Sequence, residues 1–500
     1  MNHPIKNPIK APLHQLMSRV KSRVKSHLCS HLCSHLNSHL SGTGTLLVAG
    51  LLFSGASYGS DTLNQVRTQS LASNLAYDIV SELTTEVGPR IAGSNGDKKA
   101  VAWAEKKLKQ LGFDNVYKQP VRVRNWSRGL AKAKVLSPFQ HNLVITALGG
   151  SVATPEGGIT AEVLMVDSLE TLKSTPEVQV SGKIVFINKK MQRHRAGKGY
   201  GPVVIGRSQG AIEAAKVNAL AVIIRSVGTD SSRFAHTGAM RYSPDVEKIP
   251  AGALSNADAD TLEVMFSKSA TVTMTVNMQA KEHGWQTSYN VVGEITGSEK
   301  PNEFIHLAAH LDSWDEGTGA LDDGAGVGIV TAAANLVKQI AGQPKRSIRV
   351  VLYANEEFGL IGANQYVKAN KPQLGNIIVA AESDFGAGKI YQLDTRFAEP
   401  ALPFITTLGE ALQPLGISVG PNTATGGPDI YMLPKHGVPV ASLKQDGTYY
   451  FDYHHTPNDT LDKINQEDIK QNQAAYAIFA YMMANHDVDP RPAPELKPVQ

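Results

Sequence analysis

Cysteine is nearly absent from this 500-residue chain: Cys29 and Cys33 are the only two, and both fall in the first 60 residues. Past residue 60 there is no thiol, so no disulfide staples the body and zinc sites built on thiolates are excluded. Any metal in the body must sit on His and carboxylates. Acidic residues are missing from the first 60 positions, which hold six Lys/Arg. Without that stretch 43 basic residues face 45 acidic ones, a net of about −2, and the body carries no basic footprint for nucleic acid. The apolar run Thr45–Phe53, TLLVAGLLF, is far short of the ~20 residues that span a bilayer. No long low-complexity tract follows residue 60, and the chain is 42% hydrophobic, enough to bury one large core or two to three ordinary ones.

What the first 60 residues do have is the order of a secretory signal: a basic stretch, the short apolar run, then small residues, SGASYGS, at 54–60. Export to a periplasm or the outside follows, with cleavage expected near Ser57–Ser60 and no stable membrane contact afterwards. An uncleaved anchor is the minor alternative, and Met17 is a second candidate start. Residues 18–41 repeat every four residues, SRVK-SRVK-SHLC-SHLC-SHLN-SHLS. On a helix His27, His31, His35 and His39 would line up on one face. Tandem duplication in a leader explains the repeat more simply than metal binding does.

The body reads as α/β, in segments 61–126, 127–282 and 283–500. The first is helical in pattern up to about Pro120. It has an amphipathic stretch at Ala76–Val87, a turn segment GPRIAGSNG (88–96), and a helix over Lys98–Leu111 with Asp97 as N-cap and Gly112 as stop. Residues 127–282 carry short β-like runs (Asn142–Leu148, Ala161–Val166, Lys183–Asn188, Ala219–Arg225, Thr271–Val276) and one clear helix at Ala211–Val217. WSRGLAKAKV (126–135) reads as a solvated strand edge. No cluster of acids and histidines occurs in this segment, which we read as an inserted domain. From Asn290 strands (Phe304–Leu311, Ser347–Asn355, Ile377–Ala381, Val438–Leu443) alternate with helices (Asp323–Ile340, Gly362–Ala369, Ala401–Leu415, Gln466–Asn485). Such alternation predicts a mostly parallel sheet covered on both faces.

In open α/β sheets ligands gather beyond the carboxyl ends of the strands. The first of these strands ends in His310-Leu311-Asp312, the second in Glu356-Glu357, the third in Glu382-Ser383-Asp384, and a loop after the fourth carries His454, His455 and Asp459. Asp322 and Asp323 precede the first helix. Adjacent like charges are costly to hold anywhere dry, so this many carboxylates on one rim calls for cations. Two Zn²⁺ supply +4. Asp322, Glu357 and Asp384 with one shared hydroxide bring −4, and neutral His310 and His455 complete the shells. One of the paired glutamates then ligates metal and the other handles the proton.

The motifs AAHLDSW (308–314), GALDDGAG (319–326), ANEEFGLIG (354–362), ESDFG (382–386) and YHHTPNDT (453–460), with GPRIAGS (88–94) and GGPDI (426–430), resemble a known family. It is the secreted co-catalytic di-zinc exopeptidases of the leucyl-aminopeptidase type, with the greatest likeness in the plasma glutamate carboxypeptidase (carboxypeptidase Q) branch. The resemblance spans the chain after the leader. It implies a zinc-exopeptidase fold, a mostly parallel mixed sheet flanked by helices, with residues 127–282 as a β-rich protease-associated domain. It implies two zinc ions, one on His310 and Asp384 and one on His455 and Glu357, bridged by Asp322 across an Asp322–Asp323 cis peptide. Glu356 is then the general base and later the acid for the leaving amine. Asp312 orients His310 from behind. The implied reaction is hydrolysis of short peptides by attack of zinc-activated water, with dipeptides the narrower expectation.

One position departs from the family. Several relatives have Tyr where this chain has His454. Either His454 donates to the oxyanion, or it packs and Tyr449, Tyr450 or Tyr453 donates instead. Asp429 either binds the substrate's amino group or shapes its loop. Arg90 reads as a structural partner more readily than a substrate contact. GAGVG (324–328) falls short of the G-x-G-x-x-G fingerprint. Two other functions share the fold: a receptor-like ectodomain without catalysis, whose ligand set would be incomplete, and a glutaminyl cyclase using one zinc. The expected partners are short peptides, and both a monomer and a homodimer fit the sequence.

Overall fold

The computed structural model describes the backbone of residues 49–495 and side chains from residue 61 to 495. The duplicated leader repeat, both cysteines and the first four residues of the apolar run lie outside the described residues. The chain divides at Ala56/Ser57, and the second unit is Ser57–Gln500. A helix, Ala49–Ala72, runs through the expected cleavage positions.

Sixteen strands form two eight-stranded sheets in the second unit. In chain order they are β1 (Asn115–Ser127), β2 (Ala131–Ser137), β3 (His141–Leu143), β4 (Ile145–Ala147), β5 (Ile159–Val166), β6 (Ile184–Ile187), β7 (Ala221–Arg225), β8 (Ala251–Leu254), β9 (Thr273–Met278), β10 (Lys281–Ile295), β11 (Lys300–His310), β12 (Arg346–Tyr353), β13 (Ile377–Glu382), β14 (Ile390–Arg396), β15 (Ser418–Val419) and β16 (Val440–Gln445). The first sheet has the order β1-β10-β12-β11-β13-β16-β14-β15. Its centre, β12-β11-β13-β16, is parallel. Antiparallel pairs flank it, β1 with β10, β10 with β12, and β14 with β16.

Burial on both faces explains the central strands. Every residue of β12 and β13 is buried, as expected where helices cover both sides. Ile305, Leu307 and Ala309 alternate onto one face, against the helices Leu75–Glu82, Ala325–Ala341 and Gln466–Asn485. Ala308, Val351 and Ala380 alternate onto the other, against the helix Ile361–Asn370. The helix Ala325–Ala341 and its lead-in are apolar and long enough to cross a membrane, but 78% of that window is buried inside the protein. It is a core helix. Because β11, β12, β13 and β16 run parallel, their carboxyl ends meet at one rim.

The second sheet, β3-β2-β9-β5-β6-β7-β8-β4, is built entirely from the chain between β1 and β10. β5 to β8 are parallel and the rest antiparallel. It carries a core of its own around Phe186, Ile223, Leu262 and Met274.

Several sequence expectations need correction. The segment to Pro120 is not helical throughout, since β1 starts at Asn115; its polar outer face hides the alternation that buries Val121 and Val123. Ser94, not Asp97, is the N-cap of the helix Asn95–Gln110. Asp97 reciprocates, its carboxylate accepting from the Gly93 N–H at 2.8 Å while Ser94 Oγ accepts from the Asp97 N–H at 3.1 Å. Trp126 and Arg128 are buried rather than solvated. The helix expected at Ala211–Val217 begins ten residues earlier and spans Gly201–Ala215. Pro202 suits its first turn, and Gly210 lets it approach the strands so closely that a Cβ there would lie 3.0 Å from Ile187.

Candidate active site

His310 closes β11 and is fully buried. Its Nε2 lies 3.1 Å from Asp322 Oδ1 and 3.6 Å from Asp384 Oδ1. His455 lies on the loop that follows β16 across the rim. Its Nε2 lies 3.2 Å from Asp322 Oδ2 and 3.1 Å from Glu357 Oε2. Each imidazole nitrogen therefore faces two carboxylate oxygens, and Asp322 gives one oxygen to each. The five residues singled out from sequence converge within one cluster.

Local geometry explains how. The Asp322–Asp323 peptide is cis, as expected. Asp459, buried, receives the backbone N–H groups of Leu321 at 2.6 Å and Asp322 at 3.2 Å. Asp323 has a double task, accepting the N–H of His310 at 3.1 Å and that of Gly326 at 2.9 Å, so it caps the following helix and pins the end of β11. Asp312 touches His310 Nδ1 through its backbone carbonyl, at 3.0 Å, with its carboxylate 3.7 Å away. The carboxylate instead accepts the N–H groups of Glu356 at 3.0 Å and Glu357 at 3.4 Å, which fixes the turn that aims the two glutamates apart.

Electrostatics are severe for so many acids. Burial first, then the Asp322 carboxylate, pushes Glu357 up to about 7. Burial and then Asp322 push Asp459 up to about 7. Glu356, half-buried, is held well above the ordinary carboxylate range by burial and by Asp384 and Glu357. Burial works against a charged His455, yet Glu357 and Asp322 raise it to about 9. Burial and the neighbouring His455 hold His454 well below the usual imidazole range. Asp322 Oδ2, Glu357 Oε1 and His454 Nδ1 are buried without a hydrogen bond, an expensive condition for polar atoms. Cations would satisfy it. Among the described residues two groups could each hold one, His310 with Asp322 and Asp384, and Asp322 with His454 and His455. The donor set is imidazole and carboxylate without thiolate, which suits zinc.

Of the other sequence candidates, His454 stacks on His455 with ring centroids 3.5 Å apart and its Nε2 3.6 Å from Asp322 Oδ2. Tyr449 is 66% exposed, which removes it from the site. Asp429 is buried with neither oxygen hydrogen-bonded. Its loop is held by Glu382, whose carboxylate accepts the N–H groups of Asp429 at 3.0 Å and Ile430 at 3.3 Å. Arg90 is structural. Fully buried, it donates to the carbonyls of Leu311 at 2.6 Å, Thr318 at 2.7 Å and Gly319 at 2.8 Å, shaping the loop between His310 and Asp322. Arg90→Met leaves these carbonyls without donors and is expected to cost on the order of 3 kcal/mol in urea unfolding.

The fold and this rim have known counterparts. Residues 290–480 match the pattern of Peptidase family M28. The mouse protein Carboxypeptidase Q is 37% identical over 414 residues, 83% of this chain and 86% of its own. The chain belongs to peptidase family M28. It is a hydrolase of the metallopeptidase class. A solved M28 peptidase precursor from Shewanella amazonensis SB2B superimposes with a TM-score of 0.86 at 53% identity, over 87% of this chain and 98% of that one. A zinc aminopeptidase from Bacillus subtilis shares the fold, with a TM-score of 0.59 at 21% identity over 84% and 97%.

The M28 site also contains residues that the sequence did not flag. Trp314 packs edge-on to His455, ring centroids 5.6 Å apart. From the second sheet's segment, Tyr200 meets the His454 ring at 5.7 Å, and Arg207, His236 and Thr237 touch the histidine pair. Separations of 141 residues for Trp314 and of 218 and more for the others leave no local signal for these contacts.

Proposed function

We propose that this M28 peptidase is an exported exopeptidase that uses two zinc ions to hydrolyse short peptides. The observation that carries the reading is Asp322, whose two oxygens face His310 and His455 separately. His310 and Asp384 would hold one zinc, His455 and Glu357 the other, and Asp322 both. Zinc held there polarises a peptide carbonyl and makes water acidic enough to attack near neutral pH.

The chain's own groups do the rest. Glu356 is the general base. Its backbone N–H is anchored by the Asp312 carboxylate, and its side chain is half-buried next to the proposed ligand Glu357. A carboxylate of that kind takes a proton from water and keeps it long enough to deliver it to the leaving amine. His454, whose Nδ1 is buried without a partner, would donate to the developing oxyanion. Asp429, a buried carboxylate with free acceptors, is suited to the substrate's α-amino group, which favours dipeptidase or aminopeptidase action. Residues 127–282 are read as a protease-associated domain inserted between β1 and β10. Export rests on the leader pattern in residues 1–60.

Metal analysis with a substrate panel tests this. Two zinc ions per chain are expected, with turnover of dipeptides and aminoacyl amides that a chelator abolishes and zinc or cobalt restores. One zinc per chain with cyclisation of amino-terminal glutamine would point to a cyclase instead. Full activity after complete metal removal would reject the mechanism.

A further inference from the structure

The histidine pair is gripped from outside its own domain. His455 has φ +62°, the left-handed region that a non-glycine residue occupies only when its surroundings over-determine it. Those surroundings come from the loop between β7 and β8, in the second sheet. The N–H of Thr237 donates to the carbonyl of His455 at 2.9 Å. The carbonyl of Thr237 lies 3.3 Å from His455 Nδ1 and Arg207 Nη1 lies 3.4 Å from the same nitrogen, so this edge of the ring is held from the second sheet's segment while Nε2 faces Asp322 and Glu357. His236 is fully buried, with Nδ1 2.7 Å from the carbonyl of His454. A backbone carbonyl only accepts, so Nδ1 is the protonated donor there. The other ring nitrogen lies 2.7 Å from Asp230 Oδ1, a second acceptor, so the ring is held between two acceptors and its rotation is set.

The grip is itself tightly fitted. A Cβ on Gly228 would fall 2.2 Å from the His236 ring, and one on Gly238 would fall 2.2 Å from the Arg207 guanidinium. Arg207 Nη1 lies 3.4 Å from the Thr237 carbonyl, and no carboxylate pairs with it among the described residues. Its Nη2 donates to the Tyr200 hydroxyl at 2.7 Å, which holds the guanidinium against the back of the histidine pair.

We propose that Asp230, His236 and Thr237 are positioning residues for the His454–His455 turn that carries the zinc ligand His455, so that the inserted segment completes the outer shell of the metal site. This rests on the zinc reading above. In metal sites the group behind a ligating imidazole fixes its tautomer and direction, and removing such a partner costs about 10–100-fold in metal affinity. Here that support is delivered by a segment more than 200 residues away in the chain.

Zinc affinity of the full chain, measured by competition with a chromophoric chelator, tests the assignment. His236→Phe removes the donor to His454 and is expected to weaken zinc binding by about 10–100-fold. His236→Asn places an amide N–H near the Nδ1 position and is expected to stay within about threefold of wild type. A merely structural role would not separate the two variants. Asp230→Ala leaves the contact with His454 in place but frees the ring, and is expected to lose about tenfold; it keeps the question answerable should His236→Phe not fold. Wild-type zinc affinity in His236→Phe or Asp230→Ala overturns the proposal, as does an equal loss in His236→Asn and His236→Phe. Wild-type protein that neither binds zinc nor cleaves peptides defeats the parent reading instead.

Discussion

Glu356→Gln is expected to lower kcat by about 10²–10⁴-fold while the protein keeps its full complement of zinc. The amide is nearly isosteric with the carboxylate, so the turn held by Asp312 survives. What is lost is the group that carries the proton between water and the leaving amine. Its neighbour must behave differently. Glu357 Oε2 faces His455 Nε2 at 3.1 Å, so Glu357→Ala is expected to lose zinc from that side, with activity falling as a consequence. Metal analysis beside kcat separates the two adjacent residues. Glu356→Gln turning over like wild type would remove it as the base, and equal zinc loss in both variants would make it a ligand.

Asp322→Ala is the second large effect. The other four proposed ligands each face a single site, and this residue serves both, so its removal is expected to empty both sites rather than one. Zinc content should fall from two to near zero, and hydrolysis should vanish with it. His455→Ala and His310→Ala are each expected to retain about one ion. Melting temperatures of the wild type with and without zinc should differ by an amount that disappears in Asp322→Ala, because only a state that binds the ion is stabilised by it. An Asp322→Ala protein with two tightly held zinc ions would break the shared-carboxylate arrangement.

How far the site was legible differs from residue to residue. His310, Glu357 and Asp384 stand at or just past the ends of parallel strands, and parallel strands deliver their ends to one rim whatever the loops do. Strand identification was therefore enough to gather them. The helix Gln466–Asn485 was readable end to end, because Asn465 caps it and receives the N–H groups of Glu467 and Asp468 and nothing in it breaks the pattern. β1 was not readable, since NVYKQPVRVRNWS is an edge strand with a charged outer face and its buried valines are a minority. Asp97 reads as a cap in the sequence because capping boxes pair two polar residues reciprocally, and composition does not say which of the two lies outside the helix.

Sequence alone determined the chemistry on offer: no thiol past residue 33, imidazoles and carboxylates after successive strands, and a spacing that repeats one architecture. These are properties of residue type and order, and elementary rules of strand direction and ligand charge act on them directly. Only the tertiary structure decided what stands behind the ligands. That Asp322 turns one oxygen to each histidine, that Asp312 steers the glutamates through their backbone, and that Thr237 and His236 hold the histidine pair from another sheet all depend on contacts between segments tens to hundreds of residues apart. Such contacts arise from packing two cores together and leave no periodicity in the chain from which to read them.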